Sequence, residues 1–275
     1  MPALRIFSYL PNPRIWKATI AARLCDVELE IVGAKPTELR DWLWDFEARP
    51  LSAEDRQRLA GAARAGRVGF KGGNLLKTDA FLEAHPFGTV PAAFSPDGRI
   101  GIFESNSIAR AVARLGEARL RLYGHDAYEA SRIDSFLDAS LVFGRDTQPY
   151  LLALREPEVP AALHARAAEA FAVYLAGLEQ ALAPARTFLV GEALSLADIC
   201  VVAELCLFAN ERPRHATLQG LGLAPVMTDD WPDRFPRAAA HFARLAEHAA
   251  FAPDVGPYLK KLDSLATRSG QGISR

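Results

Sequence analysis

An acid and a hydroxyl lie side by side where a short apolar run ends and a helix is predicted to begin. These residues are Glu104 and Ser105, in the stretch GTVPAAFSPDGRIGIFESNSIARAV from Gly88 to Val112. The unpaired N–H groups and the dipole of a helix N-terminus favour an anion, so the helix that starts at Ser105 can bind a carboxylate. The carboxylate of Glu104 can bind an ammonium group beside it. The pair therefore predicts a site for a ligand that carries both charges.

Ser105 has a second interpretation, in which it is only the N-cap of the helix. A capping box would place Glu or Gln three residues later, where this chain has Ile108. A capping role also gives Glu104 little structural purpose at the end of a strand. The sequence therefore favours the binding site over the cap.

The first part of the chain predicts a mixed α/β domain at residues 1–118. Its predicted elements are, in order, the strand LRIFSY, the helix PRIWKATIAARL, the strand VELEIV, the short helix KTDAFLEAH, the strands PAAFS and IGIF joined by the turn PDGR, and the helix SNSIARAVARL. A polar stretch from about Lys35 to Asn74, between the second strand and the short helix, is predicted to be a helical insert.

The remainder of the chain predicts an all-helical domain at residues 125–275, after a short linker near Gly116–Gly124. The segment SLADICVVAELCLFANE is apolar on nearly all sides, which indicates a central buried helix. Ser195 and Asp198 fit a capping box at its start, and we interpret them as structural.

The composition excludes several classes of protein. The 275 residues carry a formal net charge of −1 with mixed signs, which argues against the basic face that nucleic-acid binding needs. The three cysteines are too scattered for a disulfide framework, and no cluster has the spacing of a metal site. No apolar run is long enough to span a bilayer, and the first residues lack the apolar core of a signal peptide. We expect a cytoplasmic protein without metal, membrane or nucleic-acid partners.

Three motifs in order, HPFGTVPAAF, FESNSIAR and FLVGEALSLADICVV, resemble the cytosolic glutathione transferases. Among these, the chain is most similar to the transferase-like domain of elongation factor 1 gamma subunits. The resemblance covers nearly the whole chain except the insert. It implies a thioredoxin-like N-terminal domain that binds glutathione, an all-α C-terminal domain that holds a hydrophobic electrophilic small molecule, and a homodimer.

The resemblance also implies the residues that bind glutathione. A cis peptide at Val90–Pro91 would offer the valine backbone to the cysteinyl unit, and Glu104–Ser105 would hold the γ-glutamyl end. Many relatives carry Lys or Gln just before the Val-Pro step, where this chain has Thr89. Lys77 or Arg14 can compensate for that short side chain.

The loop SYLPNPR, which follows the first strand, contains no cysteine, so the reactive thiol must be that of glutathione. Ionising a cysteine-like thiol at neutral pH costs about 2 kcal/mol, and one hydrogen bond to a charged acceptor contributes about 1.5–3 kcal/mol. The candidate donors are Ser8, Tyr9 and Asn12. We favour Asn12, which resembles the asparagine of nu-class transferases, although it is also a plausible N-cap before Pro13.

The reaction implied by this resemblance is attack of the glutathione thiolate on an electrophile. Two alternatives remain open: a non-catalytic interaction module, as in the elongation factor gamma subunits, and a glutathione-dependent peroxidase or thiol transferase. The insert also has two interpretations. Its aromatic residues Trp42, Trp44 and Phe46 anchor either a lid beside the glutathione pocket or an excursion packed on the edge of the first domain.

Overall fold

A computed structural model of the chain describes residues 2–59, 61, 63–65, 70, 74–116, 120–183 and 186–271. The chain divides into two compact units, residues 1–120 and 121–275. Part of the predicted linker, residues 117–119, lies outside the described residues.

The described part of the first unit contains two sheets, four α-helices and a 3-10 helix. Its elements are β1 Leu4–Tyr9, α1 Pro13–Cys25, β2 Leu29–Ala34, a 3-10 helix Glu38–Asp41, β3 Trp42–Trp44, β4 Arg49–Pro50, α2 Ala53–Arg58, β5 Ala63–Ala65, β6 Asn74–Lys77, α3 Asp79–Ala84, β7 Ala92–Phe94, β8 Gly101–Phe103 and α4 Ser105–Leu115.

The main sheet has the strand order β2-β1-β7-β8. Strand β1 is parallel to β2 and antiparallel to β7, which pairs antiparallel with β8. A parallel pair needs a crossover connection, and α1 provides it. Ile6 and Phe7 are both buried, and successive side chains of a strand point to opposite faces, so both faces of β1 are covered. This confirms the predicted thioredoxin-like arrangement.

Helix α1 begins and ends where its local sequence favours a boundary. The side chain of Asn12 caps the helix by accepting a hydrogen bond from the backbone N–H of Arg14, and Pro13 takes the first helical position. The helix ends at Asp26, whose φ of 57° is left-handed. These boundaries fix the loop between β1 and α1, from which the predicted thiol donors come.

The helical insert predicted at residues 35–74 is wrong. Besides the 3-10 helix Glu38–Asp41 and α2, its described residues include strands of a second sheet with the order β4-β3-β6-β5. The tripeptide Trp42–Trp44 suits a pleated strand because of its aromatic side chains, but three residues are too few to show a periodicity. The buried ring of Trp44 contacts Phe7 and Phe81. The insert therefore contributes to the core of this unit.

All the regular elements within residues 121–183 and 186–271 of the second unit are helices. Its elements are α5 Ala127–Ala153, α6 Ala161–Ala181, α7 Leu196–Phe208, a 3-10 helix Ala209–Arg214, α8 His215–Gly220, α9 Trp231–Arg234, α10 Pro236–Ala246 and α11 Ala252–Gln271. Of the helices in the described ranges, none combines the length and the hydropathy of a membrane-spanning segment.

Helix α7 forms the centre of the second unit, as predicted. Twelve of its thirteen residues are buried, including Cys200 and Cys206. The predicted capping box is confirmed: the backbone N–H and the hydroxyl of Ser195 donate to the Asp198 carboxylate at 2.9 and 2.8 Å. Asp198 also accepts from the backbone N–H of Leu189 at 3.0 Å, so one buried carboxylate joins the start of α7 to the preceding loop.

Candidate functional site

The junction between β8 and α4 carries an unusual backbone conformation. Glu104 has φ 65° and ψ 122°, and positive φ is uncommon for any residue but glycine. Its side chain is exposed and makes no capping hydrogen bond. Ser105 is the first residue of α4, so the N-cap position belongs to Glu104 and the purely capping interpretation of Ser105 is wrong. The junction therefore places the exposed carboxylate of Glu104 directly before the first turn of α4.

A buried lysine lies behind this junction. Lys17 on α1 is 2% exposed, and its ammonium donates to the Asn106 side-chain oxygen at 2.8 Å. It also donates to the Ser105 hydroxyl oxygen at 3.3 Å. Sequence reasoning gave Lys17 no role of its own. The available signal was a charged residue between Trp16 and Ala18, which are both buried on α1.

The predicted donors Ser8 and Asn12 contact each other in the loop between β1 and α1. The amide of Asn12 donates to the Ser8 hydroxyl at 3.1 Å, and its oxygen accepts from the backbone of Arg14 at 3.0 Å. Both side chains are buried, at 0% and 1% exposure for Ser8 and Asn12. Tyr9 is half-buried and packs against the hydrophobic core that contains Phe7 and Trp44. Asn12 is therefore the N-cap of α1, whatever else it does.

The loop before β7 has the predicted Val-Pro geometry. The Val90–Pro91 peptide is cis, and so is Leu10–Pro11, which sequence reasoning did not anticipate. Thr89 and Val90 are half-buried. The ammonium of Lys77 donates to the carbonyl of Gly88 at 2.7 Å and lies over the Trp44 ring at 4.9 Å. Lys77 thus supports this loop from the interior, because it is only 3% exposed.

Burial shifts the pKa of the histidine that follows α3. Burial lowers the pKa of His85 from 6.5 to about 4. Its ring packs against Phe94 and Phe81 with centroid distances of 4.6 and 5.2 Å. The carbonyl of His85 accepts from the Gly88 backbone at 2.8 Å, so this residue also shapes the turn that leads to Val90.

The cysteine nearest the loop is unsuited to nucleophilic chemistry. Cys25 is 4% exposed at the last turn of α1, and burial raises the pKa of its thiol. Cys206 is fully buried, and burial raises the pKa of its thiol to about 12. A buried thiol with a raised pKa yields little thiolate at neutral pH. The structure therefore gives these two cysteines no advantage as nucleophiles.

The second unit has a large groove between α5 and α6. Its volume is about 950 Å³, and apolar side chains such as Val142, Phe143 and Val173 line it together with Tyr174. The rings of Phe143 and Tyr174 stack at a centroid distance of 4.4 Å. Val173 is 68% exposed on the rim. The groove is therefore a solvent-accessible apolar surface.

Comparison with known proteins points to one family. A family profile described as "Glutathione S-transferase, C-terminal domain" matches residues 144–248. Probable elongation factor 1-gamma 1 of Arabidopsis thaliana is 30% identical over 193 residues, which are 68% of this chain and 41% of that protein. Glutathione S-transferase-like protein LUC7 of Fusarium sp is 26% identical over 246 residues, which are 85% of this chain and 93% of that protein. These matches support the glutathione transferase family for this chain.

A solved structure supports the same fold. The glutathione S-transferase of Methylobacillus flagellatus, with GSH bound, superposes with a TM-score of 0.62 at 17% identity. The match covers 91% of this chain and 98% of that one. The predicted recognition and the predicted architecture of the glutathione transferase family are thus confirmed. The chain spans about two fifths of the length of the elongation factor relatives that it matches.

Proposed function

We propose that this chain is a glutathione transferase, which binds glutathione at its first unit and directs the thiolate at a hydrophobic electrophilic small molecule. In this proposal the γ-glutamyl carboxylate binds at the N-terminus of α4, where unpaired N–H groups and the Ser105 hydroxyl donate to it. The exposed carboxylate of Glu104 takes the γ-glutamyl ammonium. The half-buried backbone of Val90 pairs with the cysteinyl unit.

The observation that carries this proposal is the conformation of Glu104. A residue held in a sparsely populated backbone region costs about 1–3 kcal/mol and persists where function requires it. The Glu104 side chain is exposed and makes no capping hydrogen bond, so capping does not offset that cost. In this proposal, binding of the ligand ammonium to the Glu104 carboxylate offsets the cost of its backbone conformation.

The chemistry that follows needs a thiolate and an acceptor for its electrons. The sulfur forms a bond to an electrophilic carbon, and either a leaving group departs with its electron pair or a conjugated double bond accepts the pair. We propose Asn12 as the donor to the sulfur, with Ser8 and Tyr9 as the alternatives. One amide hydrogen of Asn12 donates to Ser8, and in this proposal the second donates to the sulfur.

A second candidate function is a non-catalytic interaction module. The 30% identity to the elongation factor relative favours it, and so does Thr89, which offers no long side chain to glutathione. In that case the junction at Glu104 would be an inherited feature without a ligand. Use of the same site for peroxide reduction or thiol transfer remains a third alternative for the enzyme.

We also propose that the chain forms a homodimer in the cytoplasm. Soluble monomers rarely expose large contiguous apolar patches. The α5–α6 groove exposes Val142 and Val173 at 49% and 68%, and the first unit exposes Phe87 at 58%. A second copy of the chain that covers these surfaces accounts for their exposure.

Calorimetric titration with glutathione, followed by a conjugation assay with a chlorodinitrobenzene probe, tests the proposed function. We expect binding and thiol conjugation by the wild-type protein. Binding without conjugation would favour the peroxidase or thiol transferase activity, which a peroxide assay measures directly. Absence of binding at millimolar glutathione would refute the enzyme and favour the interaction module.

A further inference from the structure

Lys17 is a charged residue that is almost fully buried in the first unit. Lysine is almost never fully buried unless its ammonium is paired, because removing the charge from water is costly. The long, flexible side chain usually extends to bring the ammonium to solvent. Here the side chain instead extends from α1 to the first two residues of α4 and is 2% exposed. The fold therefore places a positive charge directly behind the β8–α4 junction.

The contact with Ser105 fixes which way that hydroxyl can donate. An ammonium group only donates, so the Ser105 oxygen must be the acceptor in the 3.3 Å contact with Lys17. A serine hydroxyl has a single proton, which must then point away from the ammonium. The hydroxyl lies at the first residue of α4, so a proton turned away from Lys17 can act as a donor together with the N–H groups of the first turn.

The shorter contact with Asn106 holds the ammonium in place. The Asn106 oxygen accepts from Lys17 at 2.8 Å, and both groups are buried. Asn106 and Ser105 are adjacent on α4, so the lysine has a geometry fixed by two neighbouring acceptors. These two contacts hold the ammonium directly beside the Ser105 hydroxyl.

We propose that Lys17 is a positioning residue for glutathione, which makes the site selective for a ligand with a free α-carboxylate at its γ-glutamyl end. It does so by orienting the Ser105 hydroxyl as a donor. This inference rests on the proposed function, because it assigns a determinant to the same site. It adds Lys17, which orients Ser105, to the residues that contact the ligand.

The test compares two ligands on matched variants. Calorimetry measures the affinity of glutathione and of an analogue with γ-aminobutyrate in place of the γ-glutamyl residue, which lacks the α-carboxylate. Lys17→Met keeps the volume and removes the donor and the charge. We expect Lys17→Met to weaken glutathione binding by about tenfold to a hundredfold and to leave the affinity of the analogue unchanged.

A double-mutant cycle with Ser105→Ala adds a second readout. If Lys17 acts by orienting the hydroxyl, Ser105→Ala weakens glutathione binding in the wild-type background but has little effect in the Lys17→Met background. Should Lys17→Met fail to fold, Lys17→Gln replaces it, because its shorter side chain keeps a polar donor but orients the Ser105 hydroxyl less firmly than the ammonium does. An intermediate loss confined to glutathione then supports the proposal.

The possible results separate this inference from the proposed function. An equal loss of affinity for both ligands would show that Lys17 only joins α1 to α4, and unchanged glutathione affinity would remove it from the site altogether. Either result would overturn the inference while wild-type binding of glutathione still supported the proposed function. If the wild-type protein binds neither ligand, both fail together.

Discussion

Acid should destabilise the first unit through His85, because this histidine is buried as a neutral ring. Its pKa is lowered from 6.5 to about 4 in the folded state by burial. Between these values the unfolded chain binds the proton and the folded chain does not, so stability is complete above the unfolded pKa and falls as the pH drops from 6.5 towards 4. The full shift corresponds to about 3 kcal/mol, since one pKa unit is worth about 1.4 kcal/mol.

The loss is large enough to measure by urea unfolding at a series of pH values. The linkage relation gives about 1.4 kcal/mol at about pH 5.5 and about 2.6 kcal/mol at about pH 4.5. His85→Leu removes the titrating ring but keeps an apolar side chain beside Phe81 and Phe94. We expect the free energy of unfolding of this variant to lack that share of the pH dependence, whatever its absolute value.

Leu43→Ala is the control, because it removes buried volume from β3 without removing a titratable group. It should lower the free energy of unfolding by about 2–4 kcal/mol and keep the wild-type pH dependence. If His85→Leu has the same slope as the wild-type protein between about pH 6.5 and about pH 4, His85 does not titrate as its burial requires, and the reasoning fails.

Three further predictions concern the thiol donor, the dimer and the core of the second unit. Asn12→Ala should raise the pKa of bound glutathione, read from thiolate absorbance against pH, more than Ser8→Ala or Tyr9→Phe does; the reverse order would make a hydroxyl the donor. Val173→Glu should convert a dimer into a monomer in light scattering, whereas Leu221→Glu, at an exposed leucine outside the groove, should not; a monomeric wild-type protein would contradict this. Asp198→Ala should cost at least about 3 kcal/mol because three donors lose their acceptor, and Asp229→Ala, on the surface, should cost little; equal costs in chemical unfolding would show that the capping network contributes nothing.

The main sheet and its helices were predictable from sequence because their signals are local. The Asn12–Pro13 step marks the start of α1, and the capping box at Ser195 marks the start of α7. The second sheet was not predictable, since strands as short as Trp42–Trp44 show no period and their pairing is decided by distant partners. Trp44 is buried because it meets Phe7 and Phe81, and nothing near it in sequence reveals that contact.

The candidate site was likewise predictable from sequence only in part. Glu104 and Ser105 were predictable because an acid and a hydroxyl at a strand-to-helix junction have a recognisable chemistry. The positive φ of Glu104 was not, since it arises from how β8 and α4 meet. Lys17 was missed for a related reason: its contact with Asn106 joins residues 89 positions apart, and only the packing of α1 on α4 brings them together.

The most direct test of the account is the affinity of glutathione for the wild-type protein and for Glu104→Gln, measured by calorimetry beside Glu83→Gln as an exposed control. The account predicts that Glu104→Gln weakens binding by about 1–3 kcal/mol and leaves the free energy of unfolding nearly unchanged, while Glu83→Gln alters neither. Equal affinity in all three proteins would contradict it, because the strained acid at the start of α4 would then have no part in holding the ligand.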